Sequence, residues 1–464
     1  MNMPVFLATD LLFFLLLLAL GAAVFHAARR EPLRRPWRKV ARNPAAMVSL
    51  VILLAFLALA VLDSIRFPPK AADGVAQYRN EPASLLDLWL APLKSRTEKT
   101  YSAPLAAYAY AKEMIREPGG GERWDYPRLR HGGAHLADPE RERLADILAT
   151  GAKGLAEGFA LWLLPLGLGL AGLYRRDRAG CMERLSALLR GQGEVPWRAI
   201  GLTVLALCLL GGAVGELGLK YHVLGTGKVG GDVLYQSLKS IRTGLLIGTL
   251  TTFATLPLAL GFGILAGYFR GWVDDVIQYL YTTLNSIPGV LLIAAAMLVM
   301  QGYMARHEAE FASLALRADF RLLALCLILG MTSWTGLCRL LRAETLKLRE
   351  LEYVQAARAL GVGRGMILLR HILPNLFHLV LISVALDFSS LVLAEAVLSY
   401  INIGVDPSMD SWGNMINGAR LEMARDPVVW WSLAAAFGFM FALVLSANLF
   451  ADAVRDAFDP RRGD

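Results

Sequence analysis

Cysteine is scarce, with four in 464 residues. Cys208, Cys326 and Cys338 fall in apolar segments and Cys181 in a basic loop. No Cys-x-x-Cys pair occurs, so neither a disulfide framework nor a zinc site is indicated. Charge is sparse as well: Asp, Glu, Lys and Arg make up 19% of the chain. The constellations of common catalysts are missing. His307-Glu308 lacks the second His of a zincin helix. No Gly-x-Ser-x-Gly elbow appears. The glycine-and-lysine run at Gly225–Gly231 lacks the Ser or Thr that must follow the lysine of a phosphate loop. His131 and His135 sit in a Gly-rich turn and read as solvated. His371 and His378 flank Pro374 with no acidic residue to complete a ligand set. Neither a catalytic residue nor a metal site is therefore expected. The first apolar run has no Lys or Arg before it and a dense basic block after it. That order argues for an uncleaved span with its N-terminus outside, and against a signal peptide.

What is abundant is hydrocarbon. The chain is 56% hydrophobic, and its mean hydropathy is +0.46. Several apolar runs reach about 18 residues or more, enough to cross a bilayer as helices. The expected fold class is an all-α polytopic membrane protein with about nine spans, N-terminus outside and C-terminus inside. The net charge of +8 is spread over loops. It fits a positive-inside distribution better than nucleic-acid binding.

The spans are read at Phe6–Phe25, Ala45–Leu62, Leu155–Leu173, Ile200–Leu217, Leu245–Tyr268, Val276–Met300, Leu322–Leu341, Leu376–Leu398 and Val428–Ala451. Residues 1–63 hold the first two. Residues 64–154 form an extracytoplasmic insertion, in which Leu85–Leu90 and Leu105–Met114 read as short helices. It reads as a lid, a docking surface or a solvated insertion. Residues 155–217 form an extra hairpin with its own basic turn, and 218–464 form the core. Two added crossings preserve the sidedness of everything after them. Ser286-Ile-Pro288-Gly289 inside the sixth span predicts a kink, because Pro removes a backbone donor.

Asp387 and Glu395 lie within the eighth span, about 80° apart on an ideal helix. A carboxylate in hydrocarbon is expensive and faces a cavity or a partner. Each reads either as a polar wall of a translocation path or as a structural hydrogen-bonding group.

The stretch Glu352–Asn375 is the one long polar-and-small interruption between two apolar runs of the C-terminal half. Arg339, Arg342, Lys347 and Arg349 before it mark a cytoplasmic face. Tyr353, Ala356, Ala357 and Leu360 recur at helical spacing, and Gly361 and Gly363 break the helix. A short helix with a small-residue face can drop into a groove on a soluble partner.

This stretch resembles the Glu-Ala-Ala motif of ABC importer permeases. Gln355-Ala356-Ala357, Gly361 and Leu373-Pro374 fall on its spacing, with Gln355 in place of the acid and His371 in place of Ile. The sequence His371–Asn375 looks like the variant of dipeptide and oligopeptide permeases. Two further signatures agree. Leu224-Gly225-Thr226, Gly230 and Asp232-Val233-Leu234 are similar to the dipeptide-permease pattern Leu-Gly-Thr-Asp-x-x-Gly-Arg-Asp-Val-Leu, although Gly227 and Gly231 replace its acidic and basic residues. Leu393–Ser399, Gly404, Ser411-Trp412-Gly413 and Met415 resemble a third segment, with Val397 in place of Ser. The segment from Trp37 looks like the family's first span.

The resemblance implies a C-type permease subunit of a dipeptide, oligopeptide or nickel importer, with a type I ABC importer fold. It implies a coupling helix at 352–365, in which Tyr353, Gln355, Ala356, Ala357, Gly361, Leu373 and Pro374 dock on an ATPase. It also implies the partners: a second permease, two ABC ATPases carrying ATP and Mg, an extracytoplasmic solute-binding protein and the bacterial inner membrane. This chain has no Walker A motif and no Leu-Ser-Gly-Gly signature, so ATP hydrolysis is expected on other polypeptides and no cofactor here. Gln355, Gly227 and Gly231 leave one rival reading, a scaffold or assembly subunit with a degenerate permease core.

Overall fold

The computed structural model describes residues 7–29, 31–67, 82–116, 122–176, 195–311 and 313–458. Cys181, most of the basic turn after the third span and the end of the C-terminal tail lie outside the described residues. The chain folds as two compact units, the first comprising 1–5, 38–242 and 410–446, and the second 6–37, 243–409 and 447–464.

Helices carry the structure. In chain order they are α1 (Ala8–Ala28), α2 (Glu31–Arg42), α3 (Pro44–Ser64), α4 (Leu85–Trp89), α5 (Ala91–Ser95), α6 (Pro139–Arg176), α7 (Trp197–Gly218), α8 (Val233–Phe269), α9 (Trp272–Ser286), α10 (Gly289–Arg306), α11 (Leu314–Arg349), α12 (Glu352–Ala359), α13 (Arg364–Ile367), α14 (Leu373–Tyr400), α15 (Trp412–Ala419) and α16 (Trp431–Phe458). Among the described residues, seven helical stretches are long and apolar enough to cross a bilayer: 44–64, 139–164, 197–218, 233–269, 289–306, 364–400 and 431–458. The expected first and seventh spans correspond to α1 and α11. The apolar part of α1 is the short Ala8–Ala22. The 36-residue α11 carries several charges, among them buried Asp319 and Arg321. Asp319 accepts hydrogen bonds from Thr9, which ties α1 to α11. Arg321 donates to the Gly404 carbonyl at 3.1 Å.

Three details differ from expectation. The sixth span is two helices, not one kinked span: α9 ends at Ser286, Ile287 and Pro288 are extended, and α10 begins at Gly289. Leu105–Met114 is not a helix; it is a run of turns leading into a strand. The reason is visible locally, since Leu105 sits at φ 55 and cannot continue a right-handed helix. The helix containing the third span begins at Pro139, well before Leu155. Its first four turns are amphipathic rather than apolar, so hydropathy alone misses them.

In the first unit, α6 and α7 form a hairpin packed through glycines. A Cβ on Gly158 would lie 2.3 Å from the Cys208 carbonyl oxygen, and one on Gly212 would lie 2.2 Å from that of Gly154. Small residues let the two backbones touch, as in membrane helix pairs generally. Two short ladders lie in the described part of the insertion. A two-residue ladder pairs β1 (Arg66–Phe67) with β2 (Ala83–Ser84), and β3 (Glu113–Arg116) pairs with β4 (Glu122–Asp125), Met114 opposite Trp124. A capping box of Ser84 and Asp87 starts α4. Asp87 also receives Lys239 at 3.0 Å and the Tyr235 hydroxyl at 2.6 Å, while Lys239 reaches Asp63 at 2.8 Å. Burial alone would raise the Asp87 carboxyl, but Lys239, Tyr235 and the Ser84 amide overrule it and hold it well below the carboxylate range.

The Leu224–Leu234 signature forms a closed turn. Gly225 and Gly230 both sit at φ 73, where a side chain is strained. The Thr226 carbonyl accepts from the Trp431 indole at 2.9 Å. His222 Nδ1 is 2.7 Å from Asp232, and its Nε2 is 3.5 Å from Glu98, an ion-pair distance. Glu98 in turn accepts from the backbone N–H groups of Arg130, His131 and Gly132 at 2.8–3.2 Å. Burial works against charge on both groups. The surrounding partners win, raising His222 to about 9 and lowering Glu98 to about 2. Ion pairs do hold this turn: His222 meets Asp232 within it and Glu98 of the insertion, at positions other than those Gly227 and Gly231 occupy. The described part of the insertion is thus packed onto the turn.

Candidate functional site

Two features of the second unit carry functional weight. The first is built on α11. As that helix ends, Arg349 donates to the Tyr268 carbonyl at 2.6 Å, and Arg342 makes a two-pronged bond to Asp274 at 2.5 and 2.6 Å. Asp274 lies in the first turn of α9, so that guanidinium ties α11 to the start of α9. Gly263 and Gly267 let α8 lie against Cys338 and Thr345 of α11; a Cβ at either glycine would meet α11 atoms within 2.9 Å.

After Glu350 the chain enters α12. Val354 and Ala357 point inward, into a core that includes Ala259, Cys338, Leu341, Ile367, Ile372 and Leu376. Tyr353, Ala356 and Leu360 point outward; Leu360 is 84% exposed. Of the four residues expected on one small-residue face, Ala357 is therefore on the buried side and the other three form the free stripe. Met366 and Leu369 extend the exposed apolar surface past the turn.

The helix stops by a Schellman motif. Gly361 N–H bonds the Arg358 carbonyl at 3.1 Å, Val362 N–H bonds the Ala357 carbonyl at 3.0 Å, and Gly361 adopts φ 80. Gln355 spends its amide on the Glu350 carbonyl at 3.1 Å, closing the end of α11. A carboxylate there could not donate. Beyond α13, Leu368–Ile372 forms one π turn. Pro374 has no N–H to give back to Arg370, so the ladder slips by one residue before α14. Leu373 is half-buried and Pro374 exposed. Asn375 donates to the Tyr353 hydroxyl at 2.9 Å and to the His371 carbonyl at 2.7 Å, tying α12 to the start of α14. That link joins residues 22 positions apart, and spacing rules do not reveal it.

The second feature is a cavity of about 210 Å³ between three helix faces. Thr252, Thr255 and Leu256 of α8 line it, with Ser333 and Leu337 of α11, and Val384, Asp387, Ser390 and Leu391 of α14. The spacings of three and four place each set on one face of its helix. Asp387 thus opens into this cavity. Glu395 does not line it; it is buried and accepts from the Ser399 hydroxyl at 2.7 Å. Among the described residues, no group of three His, Cys, Asp or Glu side chains could hold a metal ion.

Two family models match this chain. Residues 259–464 match the binding-protein-dependent transport system inner membrane component, and residues 31–83 match the N-terminal transmembrane domain of oligopeptide transport permease C. Over 242 residues the chain is 31% identical to the glutathione transport system permease protein GsiD of Pectobacterium atrosepticum, covering 52% of this chain and 73% of that protein. The chain belongs to the binding-protein-dependent permease family. The permease is also 29% identical to the oligopeptide transport system permease protein OppC of Mycobacterium bovis, over 52% of this chain and 76% of that one. The OppC protein of Haemophilus influenzae matches at 29%, over 52% of this chain and 71% of its own length. The permease is a membrane subunit of an ABC importer and not itself an enzyme. The first model spans α12, the turn at Gly361 and the Asp387 cavity lining from Ser333 onward.

Proposed function

We propose that α12 is the coupling helix of this permease and that it docks on a separate ABC ATPase. Tyr353, Ala356 and Leu360 form the docking stripe, with Met366 and Leu369 at its edge. Gln355, Ala357, Gly361, Leu373 and Pro374 fix the helix to the bundle. The observation that carries this reading is an exposed apolar stripe on a short helix whose opposite side is buried in the α8–α11–α14 core. Exposed apolar surface of this kind marks an interaction site, and a rigid seat transmits a push.

On this reading two ATPases bind ATP and Mg, a second permease completes the path, and an extracytoplasmic solute-binding protein delivers the solute. The names of the relatives favour peptides or small peptide-like solutes. The membrane is the bacterial inner membrane, with α12 in the cytosol and the insertion of residues 64–154 outside. Closure of the ATPases would rock α11 and α14, and alternating access follows.

A Leu360→Cys variant tests the docking. In inverted vesicles its thiol should react with a membrane-impermeant maleimide, lose that reactivity when the ATPases bind, and crosslink to an ATPase subunit. Labelling only from the extracytoplasmic side, or unchanged labelling in the assembled complex, refutes the assignment.

A further inference from the structure

The cavity between α8, α11 and α14 has an unusual polar balance. Three of its hydroxyls have already spent their single proton on backbone carbonyls. Thr252 donates to Gly248 at 2.7 Å, Thr255 to Thr251 at 2.9 Å, and Ser390 to Asp387 at 2.7 Å. What these oxygens present to the cavity is lone pairs. The Asp387 carboxylate adds more acceptors. No hydrogen bond or ion pair engages that carboxylate among the described residues, and no Lys, Arg or His lines the space. The walls therefore offer acceptors with negative charge at their centre, and little that can donate.

A ligand matched to such walls brings donors, carries positive charge and accepts nothing. A primary ammonium has three donors and no acceptor. A carboxylate or phosphate would meet the Asp387 charge, and an amide carbonyl would find the Ser333 hydroxyl as its one side-chain donor among the lining residues. The volume of about 210 Å³ falls short of the ~300 Å³ at which sites for whole drug-sized ligands begin, so it fits the amino-bearing end of a solute and not the whole of one. An acid within a span needs a functional explanation by default, and facing a cavity is its usual setting.

We infer that this cavity is a subsite for the primary ammonium group of a transported solute, held by Asp387 with Thr252, Thr255 and Ser390 around it. The inference rests on the reading of the second unit as a translocation path. It does not depend on α12 docking to an ATPase.

The test needs no transport. The permease, assembled with its partner subunits in nanodiscs, is treated with a hydrophobic carbodiimide, and the adduct at Asp387 is quantified by mass spectrometry. Asp387→Asn identifies the signal by abolishing it. Butylammonium chloride should suppress the adduct, while N-butylacetamide and sodium chloride at equal concentration should not. A charge-assisted contact is worth about tenfold or more in occupancy, so suppression by the amine should exceed that by its acetylated form by about this factor. Equal protection by the amide, protection by sodium alone, or a carboxyl that never reacts overturns the subsite. A failure of α12 to meet an ATPase would leave this labelling pattern unchanged, so the two readings fail separately.

Discussion

Gly361 is the position where one atom tests the coupling mechanism. Its φ of 80 is left-handed, and it closes the Schellman turn that ends α12. A Cβ added there meets nothing within 4 Å. Any cost of Gly361→Ala is therefore backbone strain and not a clash. Left-handed backbone costs a non-glycine residue roughly 1–2 kcal/mol, or about 5- to 30-fold in the population of the closed turn. Asn visits this region more easily than other residues, so Gly361→Asn should fall between Gly and Ala. Gly361→Asp adds a charge beside the exposed Leu360 and should be the most severe. The assay is solute taken up per ATP hydrolysed in proteoliposomes holding the full transporter, alongside the amount of permease inserted. Expected is normal insertion, persisting ATPase activity, and a transport ratio that falls in the order Gly, Asn, Ala, Asp. An unchanged ratio in Gly361→Asp would refute the argument that this turn seats the coupling helix.

The His222–Glu98–Asp232 clamp predicts a pH window. With His222 raised from 6.5 to about 9, its stabilisation is full below pH 6.5 and fades as pH rises towards 9. With Glu98 lowered from 4.5 to about 2, its contribution is full above pH 4.5 and fades as pH falls towards 2. Melting of the purified permease should be most resistant between these limits, and Glu98→Gln should flatten the alkaline arm; an unaltered profile would contradict the clamp. In the extra hairpin, Gly158→Leu should force backbones apart and cost about 1–3 kcal/mol, whereas Gly151→Leu meets open space. Thermal melting in detergent should drop for the first only, and equal melting of the two variants would count against the close α6–α7 contact.

Much of this architecture was legible in the chain. Long apolar runs mark most of the membrane helices, Gly361 marks the stop of α12, and Leu85–Leu90 reads as a short helix. The break before Gly289 was legible as to place, but its extent was not, because a proline alone does not say whether a helix bends or ends. The early start of α6 escaped because its first turns are amphipathic. Glu98 escaped for a different reason. It lies 124 residues before His222, and nothing in local periodicity joins a carboxylate to a histidine at that distance. The role of Gln355 was hidden likewise, since its bond is to a backbone atom. Asp387 stood out as a charge in a span, but only folding brings Thr252, Thr255 and Ser333 around it.

Gly230 carries one more implication. A methyl group placed on it would sit 1.8 Å from the Glu98 carbonyl oxygen, and the Glu98 amide bonds back to the Gly230 carbonyl at 3.0 Å. The two strands of chain are thus interlocked at main-chain level. Excising the polypeptide around Glu98 would strip three amides of their acceptor and leave His222 with Asp232 alone. That region cannot be trimmed like an ornamental loop. Its amides and those of the turn should exchange with deuterium in concert, opening as a single cooperative piece.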